Sequence, residues 1–407
     1  MEITQFTGII GIIVLLGIAF AMSNNRKLVD KRLIAWGLGL QLFFGILILK
    51  TPFGQPFFST VDKIVKKLIS FADIGGDFLF RSFVTGEMEI QLINIAFRIL
   101  PTIIFFSSLM AVAYHLGIMQ FIIKWISLAM QKTLKTSGSE TLSVSANIFV
   151  GQTEAPLMIR PFISKMTQSE LMAVMVGGFA TVAGGVMAIY VQMLSHIPNI
   201  AGHLMAASIM SAPAALVIAK IIYPETRQSK TQGTTDIFVE KVDDNMMEAT
   251  ARGATDGLKL AANVGAMLIA FVALIAMANY ILGLVGLSME GIFSFLFRPL
   301  AWTMGIPWEE SSIVGMLMGK KIVLTELIAY TDLSKLTAAG EISHRSSIIA
   351  SYALCGFANF ASVGIQLGGI GGIAPERRKD LAKMSLKAMF GGALASWLTA
   401  CVAGILL

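Results

Sequence analysis

Thr153-Glu154 leading to Gly178-Phe179-Ala180, and again Thr325-Glu326 leading to Gly356-Phe357-Ala358, decide how this chain folds. Each Thr-Glu interrupts an apolar stretch, and each Gly-Phe-Ala lies inside the apolar stretch that follows. A carboxylate at membrane depth is costly and is kept where it faces a partner, a ligand or a water-filled cavity. Two of them at matching places of a duplicated unit imply one binding site shared between two halves, as in secondary transporters with internal repeats.

The surrounding composition requires a membrane. Of 407 residues, 55% are hydrophobic and 14% charged, with mean hydropathy +0.75. Soluble domains carry roughly a quarter charged residues. Apolar stretches of near-spanning length recur at 3–22, 33–50, 92–117, 168–195, 202–223, 259–287, 346–374 and 382–407, which predicts about eight transmembrane helices. The first has neither a basic leader nor an Ala-x-Ala-like cleavage site and is expected to be a retained span. The net charge of +6 reflects basic cytoplasmic loops and calls for no nucleic-acid partner. Cys355 and Cys401 both lie in apolar stretches, a poor setting for a disulfide framework or a thiolate metal site. The four histidines show no metal-ligand spacing.

Orientation follows from the short loops. Arg26, Lys27, Lys31 and Arg32 mark the first connection, and Arg377, Arg378, Lys379 and Lys383 the last; both are expected in the cytoplasm. The connection 196–202 has no Lys or Arg and is expected outside. One alternating path satisfies all three, with both termini on the periplasmic side.

Two regions do not fit straight spans. Residues 118–165 begin with an amphipathic pattern (Ile122, Ile123, Trp125 and Ile126 against Lys124, Lys132 and Lys135), pass a polar break at 136–140, and end in a polar tip. Residues 288–334 repeat the plan, with an apolar leg before the break at Gly305-Ile306-Pro307. Such legs are too short to cross and read as re-entrant hairpins, covered at depth by protein or a cavity. Three spans separate them, so the hairpins enter from opposite faces. Glycines then interrupt the following spans, at Gly177-Gly178 and Gly184-Gly185 and at Gly356 and Gly364, with polar Thr181, Asn359 and Ser362 nearby, which implies unwound segments. The expected organisation is 1–117 scaffold spans with an interfacial helix, 118–223 the first repeat, 224–258 a cytoplasmic linker with an interfacial helix, 259–287 a scaffold span, and 288–407 the second repeat.

At Gly151-Gln152-Thr153-Glu154-Ala155-Pro156-Leu157 with Arg160-Pro161 the sequence resembles the concentrative nucleoside transporters of bacteria. The resemblance continues through 178–184, 319–330, 356–362 and 371–378, and covers residues 90–407. One departure is Thr325, where the family usually has Asn. The resemblance implies an all-α membrane homotrimer, scaffold spans around a moving transport domain, and a sodium gradient driving nucleoside uptake across the bacterial inner membrane. It implies that Gln152, Thr153 and Glu154 face the nucleobase. Glu326, Phe357, Asn359 and Ser362 would face the ribose, with Val186 lining the pocket. Asn147, Val150, Thr181 and Val182 would hold sodium, and no further cofactor is implied.

The residue types suit that chemistry on their own terms. Sodium is served by amide, hydroxyl and freed carbonyl oxygens at helix breaks. A neutral nucleoside, rich in donors and acceptors, calls for amides, hydroxyls and carboxylates. Three alternatives stay open on sequence: proton coupling through Glu154 or Glu326, a membrane-embedded nucleoside hydrolase using that carboxylate pair, and a purely structural pairing of the glutamates with Arg160, Lys320 or Lys321. Uridine-type nucleosides are the first expected substrates, with purine nucleosides a further class.

Overall fold

The computed structural model describes residues 3–80, 96–97, 100–231 and 243–407. Parts of the expected third span (92–117) and of the expected linker (224–258) lie outside the described residues. Among the described residues every element is helical. In chain order these are α1 (Ile3–Ala21), α2 (Lys31–Leu49), α3 (Gly54–Phe80), α4 (Leu100–His115), α5 (Ile118–Leu134), α6 (Gly138–Ala146), α7 (Arg160–Ile163), α8 (Gln168–Ala180) and α9 (Gly184–Met193). They continue with α10 (Ile200–Ile222), α11 (Met246–Gly283), α12 (Met289–Thr303), α13 (Trp308–Val323), α14 (Glu326–Ala338), α15 (His344–Leu354), α16 (Phe360–Ile373) and α17 (Arg378–Leu406). The eight apolar stretches fall on α1, α2, α4, α8 with α9, α10, α11, α15 with α16, and α17. The protein is an all-α integral membrane protein with two oppositely oriented re-entrant hairpins in inverted repeats.

Both glycine-marked spans are broken. Thr167 and Glu170 form a capping box that starts α8 (Thr167 N donates to Glu170 Oε2, 2.7 Å; Glu170 N to Thr167 Oγ1, 3.1 Å). The helix stops at Ala180 because Thr181 (φ −123°, ψ 169°) and Ala183 (φ −62°, ψ 141°) are extended. In the second repeat α15 stops at Leu354, and Asn359 caps the next half-helix by accepting from Ser362 N at 2.8 Å. The two breaks touch. Gly356 has φ +104°, a glycine conformation, and a Cβ there would lie 2.6 Å from Phe179 O and 2.8 Å from Ala180 O. The repeated Gly-Phe-Ala is therefore the crossing point of the two repeats.

The first hairpin is α6, a tip at 147–154, and a short leg through α7. Its mouth holds a buried charge pair, with Lys220 Nζ 2.7 Å from Glu140 Oε2. The second hairpin corrects the expected boundary. The apolar leg 288–303 is a separate helix, α12, ended by Gly305 (φ +91°). The hairpin legs are α13 and α14, turning at Leu324-Thr325. Helix α13 lies close against α12 because Gly315 leaves room for its backbone: a Cβ would meet Arg298 N at 2.8 Å.

Two further expectations on organisation change. Residues 246–258 form no separate interfacial helix. They are the first turns of α11, a continuous helix of 38 residues capped by Asn245, whose Oδ1 accepts from Glu248 N at 2.9 Å. Gly253 and Gly257 do not break it, because they face α4, where a Cβ would come within 2.7 Å of Ser108 Cα and Ile104 Cα respectively. Helices α1 and α2, expected among the scaffold spans, pack on α17 and α10 of the repeats. Gln41 of α2 is fully buried there and donates to Met210 O (3.2 Å) and Thr399 Oγ1 (3.0 Å).

The inverted hairpins make a direct prediction. Ser164 at the first mouth and Glu309 at the second are exposed, whereas both native cysteines are buried. Ser164→Cys should react with an impermeant thiol reagent from the cytoplasmic side alone, and Glu309→Cys from outside alone. Labelling of both from one side would refute the opposed orientation.

Candidate substrate and ion site

A cavity of about 840 Å³ runs from the hairpin tips to the first turns of α11, where Asp243, Arg252, Asp256 and Lys259 line its mouth. All eight residues expected to meet a nucleoside line it: Gln152, Thr153, Glu154, Val186, Glu326, Phe357, Asn359 and Ser362. They come from both hairpin tips and both broken spans.

Glu326 is the first residue of α14, where the helix dipole favours a carboxylate. Its carboxylate accepts from Tyr190 Oη (2.7 Å) and Asn359 Nδ2 (2.8 Å). The Asn359 amide cannot turn round, because the Ser362 backbone N–H can only donate and so fixes Oδ1. Tyr190 stacks on Tyr330 at 4.3 Å between centroids, and Tyr330 Oη donates to Ser351 O (2.7 Å). Glu326 is thus a preorganised acceptor of hydroxyls. Thr325 caps α14, accepting from Ile328 N at 3.5 Å. That role leaves its hydroxyl proton free for the cavity.

The structural pairing considered for the glutamates is not found among the described residues. Lys320 pairs with Glu290 (3.1 Å) and Asp332 (2.8 Å), and Lys321 donates to backbone carbonyls. Glu154 is exposed on the cavity wall.

Gln152 is oriented by a residue that sequence reasoning missed. Gln366 Nε2 donates to Met175 O (3.0 Å) and to Gln152 Oε1 (3.1 Å). Met175 O can only accept, so the Gln366 atom facing it is the NH₂ group. The Gln152 atom facing the same group must then be its oxygen. The Gln152 NH₂ is left to turn toward the cavity.

Of the four residues expected to hold sodium, only Val150 lines the cavity. Asn147, Thr181 and Val182 are each 1% exposed, the first at the start of the hairpin tip and the other two in the break between α8 and α9. Asn147 Nδ2 donates to Ser143 O (3.0 Å), whereas its Oδ1 has no partner though buried. Thr181 Oγ1 donates to Gly177 O (3.1 Å) and keeps its lone pairs. Gly184 N donates to Phe149 O (2.9 Å), tying the break to the tip. Neutral oxygens at the tip and at the helix break tied to it, one of them orphaned, suit a monovalent cation. Among the described residues no three His, Cys, Asp or Glu side chains converge as a transition-metal site would need.

Three family models match along the chain: the N-terminus of Na+ dependent nucleoside transporters at residues 10–83, a nucleoside recognition (Gate) model at 96–197, and the C-terminus of the same transporters at 203–404. The solved structure of CNTnw in an inward-facing substrate-bound state is 42% identical, covers 100% of this chain and 98% of that one, and superposes with a TM-score of 0.92. This chain belongs to the concentrative nucleoside transporter family. Among its relatives are an uncharacterized transporter of Haemophilus influenzae, 43% identical over 98% of this chain and 97% of that one, and the sodium/nucleoside cotransporter 1 of Rattus norvegicus, 41% identical over 99% of this chain. The chain spans 64% of the length of the rat protein. Tyr190 and Gln366, which hold Glu326 and Gln152, each carry a polar group in an otherwise apolar span, the one signal by which they were findable.

Proposed function

We propose that this protein is a symporter that imports nucleosides, uridine-type and also purine, driven by a sodium gradient through an elevator-like movement of the two repeats. The observation that carries the reading is Glu326, held between Tyr190 and Asn359 on the same cavity as Gln152 and Glu154. Glu326, Asn359 and Ser362 read the ribose hydroxyls, and Phe357 packs on the sugar. Gln152, Thr153 and Glu154 read the base, with the Gln152 NH₂ donating to a base carbonyl. Val186 closes the apolar side of the pocket. Sodium is bound by Asn147 Oδ1, Thr181 Oγ1 and the carbonyls of Val150 and Val182, so it joins the hairpin tip to the broken span.

The charged lining residues at the start of α11, together with the basic loops, support an inward-facing arrangement. Helix α11 exposes large apolar side chains, Ile269 at 76% and Tyr280 at 74%, which supports burial of that face in lipid and against two further copies in a homotrimer. We place the protein in the bacterial inner membrane with both termini periplasmic.

Radiolabelled uridine uptake into proteoliposomes, with Na⁺, Li⁺, K⁺ and proton gradients compared, tests the reading. Accumulation against a gradient in sodium alone is expected. Equal uptake on a pH gradient without sodium would favour proton coupling, and release of free base and ribose would favour a hydrolase.

A further inference from the structure

Lys321 is 0% exposed, deep in the bundle, and among the described residues no carboxylate lies within ion-pair distance of it. All three of its ammonium donors are used. They reach Ala353 O (3.0 Å), Cys355 O (3.0 Å) and Ser396 Oγ (3.3 Å). Ala353 and Cys355 stand at the end of α15, where the broken span leaves carbonyls without intrahelical partners and the helix end is electronegative. An ionisable group at this depth with no carboxylate in contact implies a functional demand for its charge.

The first repeat shows what that demand is. Counted from Gly178 and Gly356, the carbonyls equivalent to Ala353 and Cys355 are those of Met175 and Gly177. They accept from neutral groups, Gln366 Nε2 (3.0 Å) and Thr181 Oγ1 (3.1 Å). Asn147, with its orphaned Oδ1, follows directly on the first leg of the first hairpin. Lys321 lies in the last turn of the first leg of the second. One tip presents an oxygen suited to a cation; the other presents a cation.

We propose that Lys321 is the resident cation of the second repeat. Its tethered ammonium fixes the broken span as a bound ion fixes the first, so the second repeat needs no ion of its own. It is a positioning residue: it holds segment 355–359 in the shape that presents Phe357 and Asn359 to the nucleoside. The inference rests on the sodium–nucleoside symport proposed above.

Uridine uptake by proteoliposomes, measured against both uridine and sodium concentration, tests it. Wild-type uptake should be first order in sodium. Lys321→Ala should raise the uridine KM by at least about ten-fold, the scale of a buried acceptor losing its partner. Its sodium dependence should become second order as an ion enters the exposed carbonyls, and methylammonium should restore the KM. Lys321→Met, which fills the volume without the charge, should keep the raised KM and ignore methylammonium. A KM unchanged in Lys321→Ala, or a raised KM with first-order sodium dependence and no response to methylammonium, would reduce Lys321 to packing and overturn the proposal. If neither variant inserts in folded form, the wild-type order decides: second order overturns the proposal, first order supports it. A wild type with no sodium-dependent uridine uptake removes the symport reading and this inference with it, whereas a normal wild type with unaffected variants removes this inference alone.

Discussion

Glu326→Gln should lower uridine affinity sharply while leaving the protein folded in the membrane. Both partners of the carboxylate are donors, Tyr190 Oη and Asn359 Nδ2, and the Asn359 amide is locked by Ser362 N. An amide at 326 would have to turn its oxygen to Asn359 and its NH₂ to Tyr190, reversing the tyrosine hydroxyl and losing the charge-assisted bonds. Little acceptor strength would remain for a ribose hydroxyl. A buried group stranded without its partner costs about 1–3 kcal/mol, so the expected loss in affinity is roughly 5- to 150-fold. Asn359→Ala should fall in the same range, since it also removes the cap of α16. Uracil, lacking the sugar, should be a poor competitor of uridine in the wild type. Uracil competing as well as uridine would mean that the sugar is not read here.

Asn147→Leu should abolish sodium stimulation of uptake. The substitution replaces the one orphaned oxygen at the first tip with an apolar group of similar volume, while Ser143 O keeps the backbone N–H of residue 147 as its donor. The loss should appear as uptake that no longer responds to sodium concentration, with the protein still in the membrane. Undiminished sodium-driven uptake by this variant would move the ion elsewhere.

Charge, hydropathy and two strings of residues carried the fold a long way. The apolar spans and both breaks follow from features local in sequence, whereas the residues on the wall of the cavity came with the family resemblance. Boundaries set by packing followed from neither. The tip of the second hairpin was legible at Thr325-Glu326, but its start was not: Gly305-Ile306-Pro307 announces a turn and merely separates α12 from α13. The first turns of α11 read as a separate interfacial helix, because nothing local in sequence shows that Gly253 and Gly257 pack on α4. Tyr190 and Gln366 were illegible for another reason. Tyr190 meets Glu326 across 136 residues, and Gln366 meets Met175 across 191, so a lone polar side chain in an apolar span has no stated purpose until the fold supplies its partner.

The crossing of the two breaks at Gly356 has a mechanical consequence. Backbone rests on backbone there, with no space for even a methyl group. A joint without side chains has no rotamer to change and cannot act as a switch, so neither repeat can slip past the other. Alternating access must therefore take place along another surface, and the long wall of the cavity, lined by α9 and α16 as well as by α4 and α11, is the seam left to move.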